Sequence, residues 1–253
     1  MAANSTVKPM LAFTLDFETG GLECQKSACT QIAMHAVRID TFETIGRYVM
    51  YISPYHKKDI GCTKKVLRKT TDEQPLMEYS DVALTYSAIT MEMLNSQGVD
   101  IKEVAAGCVN FMREQCEKAS AGRNKKPFLI GQNIVFDIGF LQQLMEYGGQ
   151  AKEYSKYLRG VTDFYGNFQP TYIDTILLAQ LAFANNPEVT SYKLELTAER
   201  LGVELIDAHD ADADVKATTD VCAVFSRRMR NENGEAAETT DNKAEKTRTH
   251  FKL

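Results

Sequence analysis

Four acidic residues, Asp16, Glu18, Asp137 and Asp214, fall in three segments far apart in the chain, each turned toward the interior or toward a sheet face. In residues 10–18, MLAFTLDFE, the pattern alternates. Leu11, Phe13, Leu15 and Phe17 share one side, and Ala12, Thr14, Asp16 and Glu18 share the other. Asp137 lies on the apolar stripe of a helix with Phe140, Leu141 and Leu144. In the run His209-Asp210-Ala211-Asp212-Ala213-Asp214, helical spacing from Asp214 reaches Ala217, Thr218, Val221 and Phe225, a mostly inward face. Asp212 shares its side with Lys216, Thr219 and Asp220 and is expected to face solvent. Asp210 falls before the first helical turn, where a capping role is as well supported as a functional one.

Carboxylates gathered in one place repel: two unit charges about 5 Å apart at an effective dielectric of 20 cost roughly 3 kcal/mol. Such a cluster needs cations. All-oxygen ligands suit Mg²⁺ or Mn²⁺ rather than zinc or copper. Paired ions about 3.5–4 Å apart are the arrangement for in-line displacement at phosphorus, one activating water and the other stabilising the leaving oxygen. A lone D-x-E is ordinary; the set carries the expectation.

The elements that must position these acids can be read from periodicity and turn residues. Residues 10–18, 30–39 and 45–52 read as three strands of a meander, with Gly20 and Gly21 ending the first. A helix follows near 101–118, a buried strand at 127–131 and a helix over 135–147. Residues 171–184 read as a strand end entering a helix, with further helices at 191–201 and 211–229. Strands first, then helices alternating with short strands, predict an α/β fold with a central mixed sheet flanked by helices. Residues 54–86 (Lys57, Lys58, Lys64, Lys65, Arg68, Lys69) and 148–170 read as surface insertions near the working face. The polar segment 230–253 reads as a disordered tail.

A chain of 253 residues with 44% hydrophobic residues suits one catalytic domain, here 1–229, with insertions. No cleavable leader or membrane-spanning run is evident, so a soluble cytoplasmic protein is expected. Six cysteines without C-x-x-C pairs suggest reduced thiols rather than a disulfide framework or zinc knuckle. A net charge of −5 argues against coating nucleic acid by bulk electrostatics, yet a metal site inverts the local sign.

Four segments together resemble the DEDDh superfamily of 3′→5′ exonucleases, which includes the proofreading subunit of bacterial DNA polymerase III, ribonuclease T and oligoribonuclease. They are LDFETGG at 15–21, GQNIVFDIGFL at 131–141, IDTILLA at 173–179 with YKLELTAERLGV at 192–203, and HDADADVKATTDV at 209–221. His209 and Asp214 are separated by four residues, the spacing of the His-type subgroup; the Tyr-type would have Tyr where this chain has Asp210.

The resemblance implies a ribonuclease H-like fold and two Mg²⁺ or Mn²⁺ ions held by Asp16, Glu18, Asp137 and Asp214. It also implies His209 as general base, apt because an imidazole is neutral near pH 7 and still accepts a proton. Thr19, Leu22, Ile89, Thr90, Asn133 and Phe136 fall where the family's motifs contact the terminal nucleotide. Residues 87–90, Ser-Ala-Ile-Thr, match the family's H-G-I-T with the His-Gly part lost, and Gln132 stands where many members have His. His35 has no such support and is expected to be structural.

The expected substrate is the free 3′ end of unpaired DNA or RNA, with a DNA polymerase or replication protein as a possible partner. The basic stretch 57–69 and Arg123, Lys125 and Lys126 are candidate backbone contacts. An RNA-trimming enzyme of the same chemistry and a non-catalytic nucleic-acid- or polymerase-binding module are the rival readings.

Overall fold

The computed structural model describes residues 10–58, 75–119, 126–205 and 210–230. Residues 231–253 of the tail expected over 230–253, and Lys64, Lys65, Arg68, Lys69, Arg123, Lys125 and His209, lie outside the described residues, while Arg230 is helical rather than part of a tail.

Three strands open the described chain: β1 (Leu11–Thr19), β2 (Cys29–Arg38) and β3 (Thr44–Tyr51). Two short helices follow, α1 (Asp81–Tyr86) and α2 (Met91–Gln97), then the long α3 (Ile101–Ala119). Strand β4 (Phe128–Gly131) leads into α4 (Ile134–Tyr147). A hairpin of β5 (Gly160–Thr162) and β6 (Phe168–Pro170) precedes β7 (Tyr172–Asp174), after which come α5 (Thr175–Ala182), α6 (Leu194–Leu201) and α7 (Ala211–Arg230). The main sheet runs β3-β2-β1-β4-β7. The first three strands pair antiparallel, while β4 lies parallel to both β1 and β7. This is the mixed, helix-flanked sheet that the sequence predicted.

Strand β1 is central and buried on both faces. Phe13, Leu15 and Phe17 pack with Val104, Cys108 and Phe111 of α3 and Phe140, Leu141 and Leu144 of α4. On the other face Ala12 meets Cys222 of α7, and Thr14 exchanges a hydroxyl hydrogen bond with Thr219 at 2.9 Å. The alternation in MLAFTLDFE therefore marks two packed faces rather than one wet and one dry. Apolar side chains at spacings of three and four along α3 bury Ile101, Val104, Ala105, Cys108, Val109 and Met112.

Helix α7 departs from expectation. Ala217, Val221 and Phe225, on the stripe shared with Asp214, pack against Leu194 and Ala198 of α6 and Ala179 of α5. The side carrying Asp212 and Thr219 faces the sheet, where Asp212 hydrogen-bonds the Nε2 of fully buried His35 and stands 3.7 Å from Arg47. Asp212 is thus half-buried over β2 instead of solvated, because α7 is wedged between the sheet and two smaller helices. His35 is structural, as expected.

Parts of the segments read as surface insertions also pack inward. Tyr55, Met77, Tyr154 and Leu158 belong to the main core, and α1 and α2 were too short to show a period. Where the family motif has Gly, Ala88 adopts φ 54°, a conformation that crowds a Cβ. Ala88→Gly is expected to raise stability by about 0.5–1 kcal/mol, read as a Tm increase of roughly 2–3 °C. An unchanged or lower Tm would mean that the backbone relaxes this crowding without help.

Candidate active site

The acids meet at the carboxyl-terminal end of β1, where the strand carries its load past its partners. Asp16 still pairs with Ala33 across β2, but the register shifts between Glu18 and Thr19, a bulge that re-aims the strand end. Gly20 follows, its amide bonded to the Ala28 carbonyl and its own carbonyl accepting from Ser80. A Cβ at Gly20 would come within 2.4 Å of the Glu78 carbonyl oxygen, so this close approach requires glycine.

Asp137 arrives from the α4 side. Asn133 takes the left-handed conformation at φ 54° and turns the chain from β4 into α4, while its amide donates to Asp174 at 3.2 Å. One turn later Asp137, only 2% exposed, accepts the Phe17 N–H at 3.0 Å through Oδ1. Asp214 arrives from the α7 side. There Asp210 caps the helix, accepting the amides of Asp212 at 3.1 Å and Ala213 at 3.2 Å through one oxygen and Gln31 Nε2 at 3.2 Å through the other. Gln31 also accepts the Ala211 amide at 3.2 Å, so β2 holds the start of α7 at two points. The capping alternative for Asp210 is the one found.

Oxygens of Asp16, Glu18 and Asp214 lie within 4.8 Å of one another, with Asp137 beside them. Burial first, then the charges of Asp214 and Asp210, pushes the Asp16 carboxyl up to about 8. Burial and then Asp16 push Glu18 up to about 9. Asp137 is raised well above the usual carboxylate range by burial and Asp16, against the lowering effect of the Phe17 amide. Among the described residues no Lys or Arg forms an ion pair with Asp16, Glu18 or Asp137. A set of hard oxygen donors that repel one another fits divalent Mg²⁺- or Mn²⁺-type cations.

A cleft of about 1360 Å³ opens over the acids. Thr19, Leu22, Asn133 and Phe136 line it, Leu22 with 85% of its surface exposed. Ile89 and Thr90 do not: Ile89 is buried with Leu84 and Leu94, and Thr90 caps α2 by accepting the Met93 amide at 3.1 Å. The sequence reading missed Val82, Ala83 and Tyr86 of α1, and Tyr192, Lys193 and Glu195 ahead of and in α6, all of which line the cleft. Tyr192 and Lys193 lay inside a quoted motif; nothing in the sequence singled out Tyr86. Its hydroxyl is raised by burial and then by Glu195, Asp214 and Glu18, which sets it close to the acids.

Gln132 has a clear structural task. Its Nε2 donates to the Tyr192 carbonyl at 2.7 Å, and its Oε1 accepts the Thr175 hydroxyl at 2.5 Å, joining the end of β4 to the segment before α6.

No family model matches the chain. The chain is 26% identical over 218 residues to the PolC-type DNA polymerase III of Clostridium perfringens, covering 86% of this chain and 11% of that protein. Among solved structures, E. coli exonuclease I in complex with a dT13 oligonucleotide superposes with a TM-score of 0.61 and 18% identity. That match covers 88% of this chain and 42% of exonuclease I. Exonuclease I from Methylocaldum szegediense gives a TM-score of 0.60 at 21% identity, covering 89% of this chain and 42% of that one. The chain thus spans under half the length of the exonucleases and about a tenth of the polymerase that it matches. The fold is that of exonuclease I, which accords with the resemblance to the DEDD-type 3′→5′ exonucleases that the four motifs carry.

Proposed function

We propose that this chain is a divalent-metal-dependent 3′→5′ exonuclease that removes 5′-mononucleotides from the 3′ end of unpaired DNA, in proofreading or repair. The observation that carries the reading is the convergence of Asp16, Glu18 and Asp214 oxygens within 4.8 Å at the floor of an open cleft. A protein that only bound nucleic acid would gain nothing from acids that repel both each other and phosphate.

Asp16, Glu18, Asp137 and Asp214 hold two Mg²⁺ or Mn²⁺ ions in this proposal. The ions supply Lewis acidity at the scissile phosphate and a water of lowered pKa. The Phe17 amide fixes one oxygen of Asp137 and leaves the other for coordination. His209 takes the proton from the attacking water. Its neighbour in the sequence, Asp210, is anchored by Gln31 and two helix amides. Leu22 and Phe136 offer apolar surface to the terminal base, and Thr19 and Asn133 offer polar groups to its sugar and phosphate. DNA is favoured because one of the similar solved structures, E. coli exonuclease I, is a complex with a dT13 oligonucleotide. The PolC likeness supports a polymerase or replication protein as partner. Free thiols at Cys24, Cys29, Cys108, Cys116 and Cys222 accord with a cytoplasmic location, and no helix among the described residues is long and apolar enough to cross a membrane.

Digestion of matched single-stranded DNA and RNA oligomers, with Mn²⁺ and with EDTA, tests the proposal. The expected result is release of 5′-mononucleotides from the 3′ end that requires the metal and is faster on DNA. Faster release from RNA would favour the RNA-trimming alternative; no metal-dependent release from either would favour the binding module.

A further inference from the structure

The cleft is a poor host for a polyanion. Among the described residues seven carboxylates line it, Glu23, Glu78 and Glu195 included, and Lys193 is the one Lys or Arg. Cations held by the acid cluster would answer for the scissile phosphate. Each further phosphate of an entering strand would meet an acidic wall, unless a protein cation stood where the strand passes.

Lys193 stands on that wall, exposed and in no ion pair among the described residues. The backbone that leads into it is braced at two successive residues. Gln132 donates to the Tyr192 carbonyl at 2.7 Å, and the Arg200 guanidinium donates to the Ser191 carbonyl at 2.6 Å. Lys193 itself occupies the N-cap position of α6, with φ −56° and ψ 150°. Its Cα is therefore fixed, and only the side-chain rotamers remain to be ordered on binding, which lowers the entropic cost of a contact. A flexible ammonium suits a phosphate whose exact position varies with the sequence being degraded, since it acts as a point charge rather than a planar fork.

We propose that Lys193 binds a non-scissile phosphate of the substrate strand, and that Gln132 and Arg200 are positioning residues that hold the Lys193 segment against the cleft. The proposal rests on the exonuclease reading for its substrate, but its test does not depend on turnover. Binding of a 5′-labelled oligothymidylate to the full chain is measured in EDTA by fluorescence anisotropy across a salt series. Lys193→Gln is expected to weaken affinity about three- to tenfold at low salt. It should also make the slope of log affinity against log salt shallower by about 0.7, the share of one phosphate contact on a single strand. Lys193→Arg should restore the wild-type slope, which a merely structural role would not demand. Equal slopes and affinities for wild type and Lys193→Gln overturn the proposal, as does a wild-type chain that binds no single strand. Metal-dependent release by the wild type together with an unchanged slope in Lys193→Gln would sink the Lys193 contact alone. A changed slope without any metal-dependent release would instead sink the exonuclease reading.

Discussion

Asp214→Asn is expected to lower metal-dependent mononucleotide release by on the order of 10³-fold, whereas Asp212→Asn keeps most of it. The two residues are two positions apart in the sequence and on different faces of α7. Asp214 contributes an oxygen to the trio with Asp16 and Glu18, and an amide in its place removes a negative charge that a metal site requires. Asp212 serves His35, and an asparagine oxygen still accepts the Nε2 proton. Loss of activity in Asp214→Asn should come without loss of folding. In EDTA its Tm should equal or exceed that of the wild type, because one member of a repulsive cluster is gone. Steady-state release rates paired with thermal melts separate these effects. Equal loss of activity from both substitutions would mean that the helix phase assigned to the site is wrong.

The same repulsion makes the metal-free protein unusually sensitive to pH. Asp16 is held up at about 8 and Glu18 at about 9, against ordinary values of 3.8 and 4.5. The folded state therefore keeps protons that the unfolded chain gives up. Stability in EDTA is highest near and below the ordinary carboxylate range, falls as pH rises from about 4 toward 8–9, and levels off beyond. One proton retained over ~2.5 pH units is worth about 3 kcal/mol. Between pH 5.5 and 8 the metal-free Tm should thus fall by roughly 6–12 °C. Mn²⁺ should reverse the trend at pH 8, since the ion binds the ionised carboxylates of the folded state and raises Tm with concentration. Melts in EDTA and in Mn²⁺ across this range read both effects. A flat EDTA profile would show that the acids are not confined together in solution as they are in the structure.

Much of this protein was legible in its sequence for reasons that are local. The helix of Asp137 and the strand of Asp16 and Glu18 declare themselves because a period is a property of neighbouring residues, and the elements found there match the expected bounds closely. The motif spacing picked Asp16, Glu18, Asp137 and Asp214 from thirty-four acidic residues. It did not separate core from cleft around Ile89 and Thr90, where the altered S-A-I-T stretch supplies a core side chain and a helix cap.

What the sequence determined by itself was the kind of elements and the chemistry their acids could support. Which partner each helix face meets was decided only in three dimensions. A single period can identify an apolar stripe, but α7 has two buried sides, one against the sheet and one against α5 and α6, and no property of its own residues says which is which. Likewise, Tyr86, Gln132 and Lys193 acquire their places on the cleft from segments that are distant in the chain, through hydrogen bonds and burial that exist only once the sheet has brought those segments together.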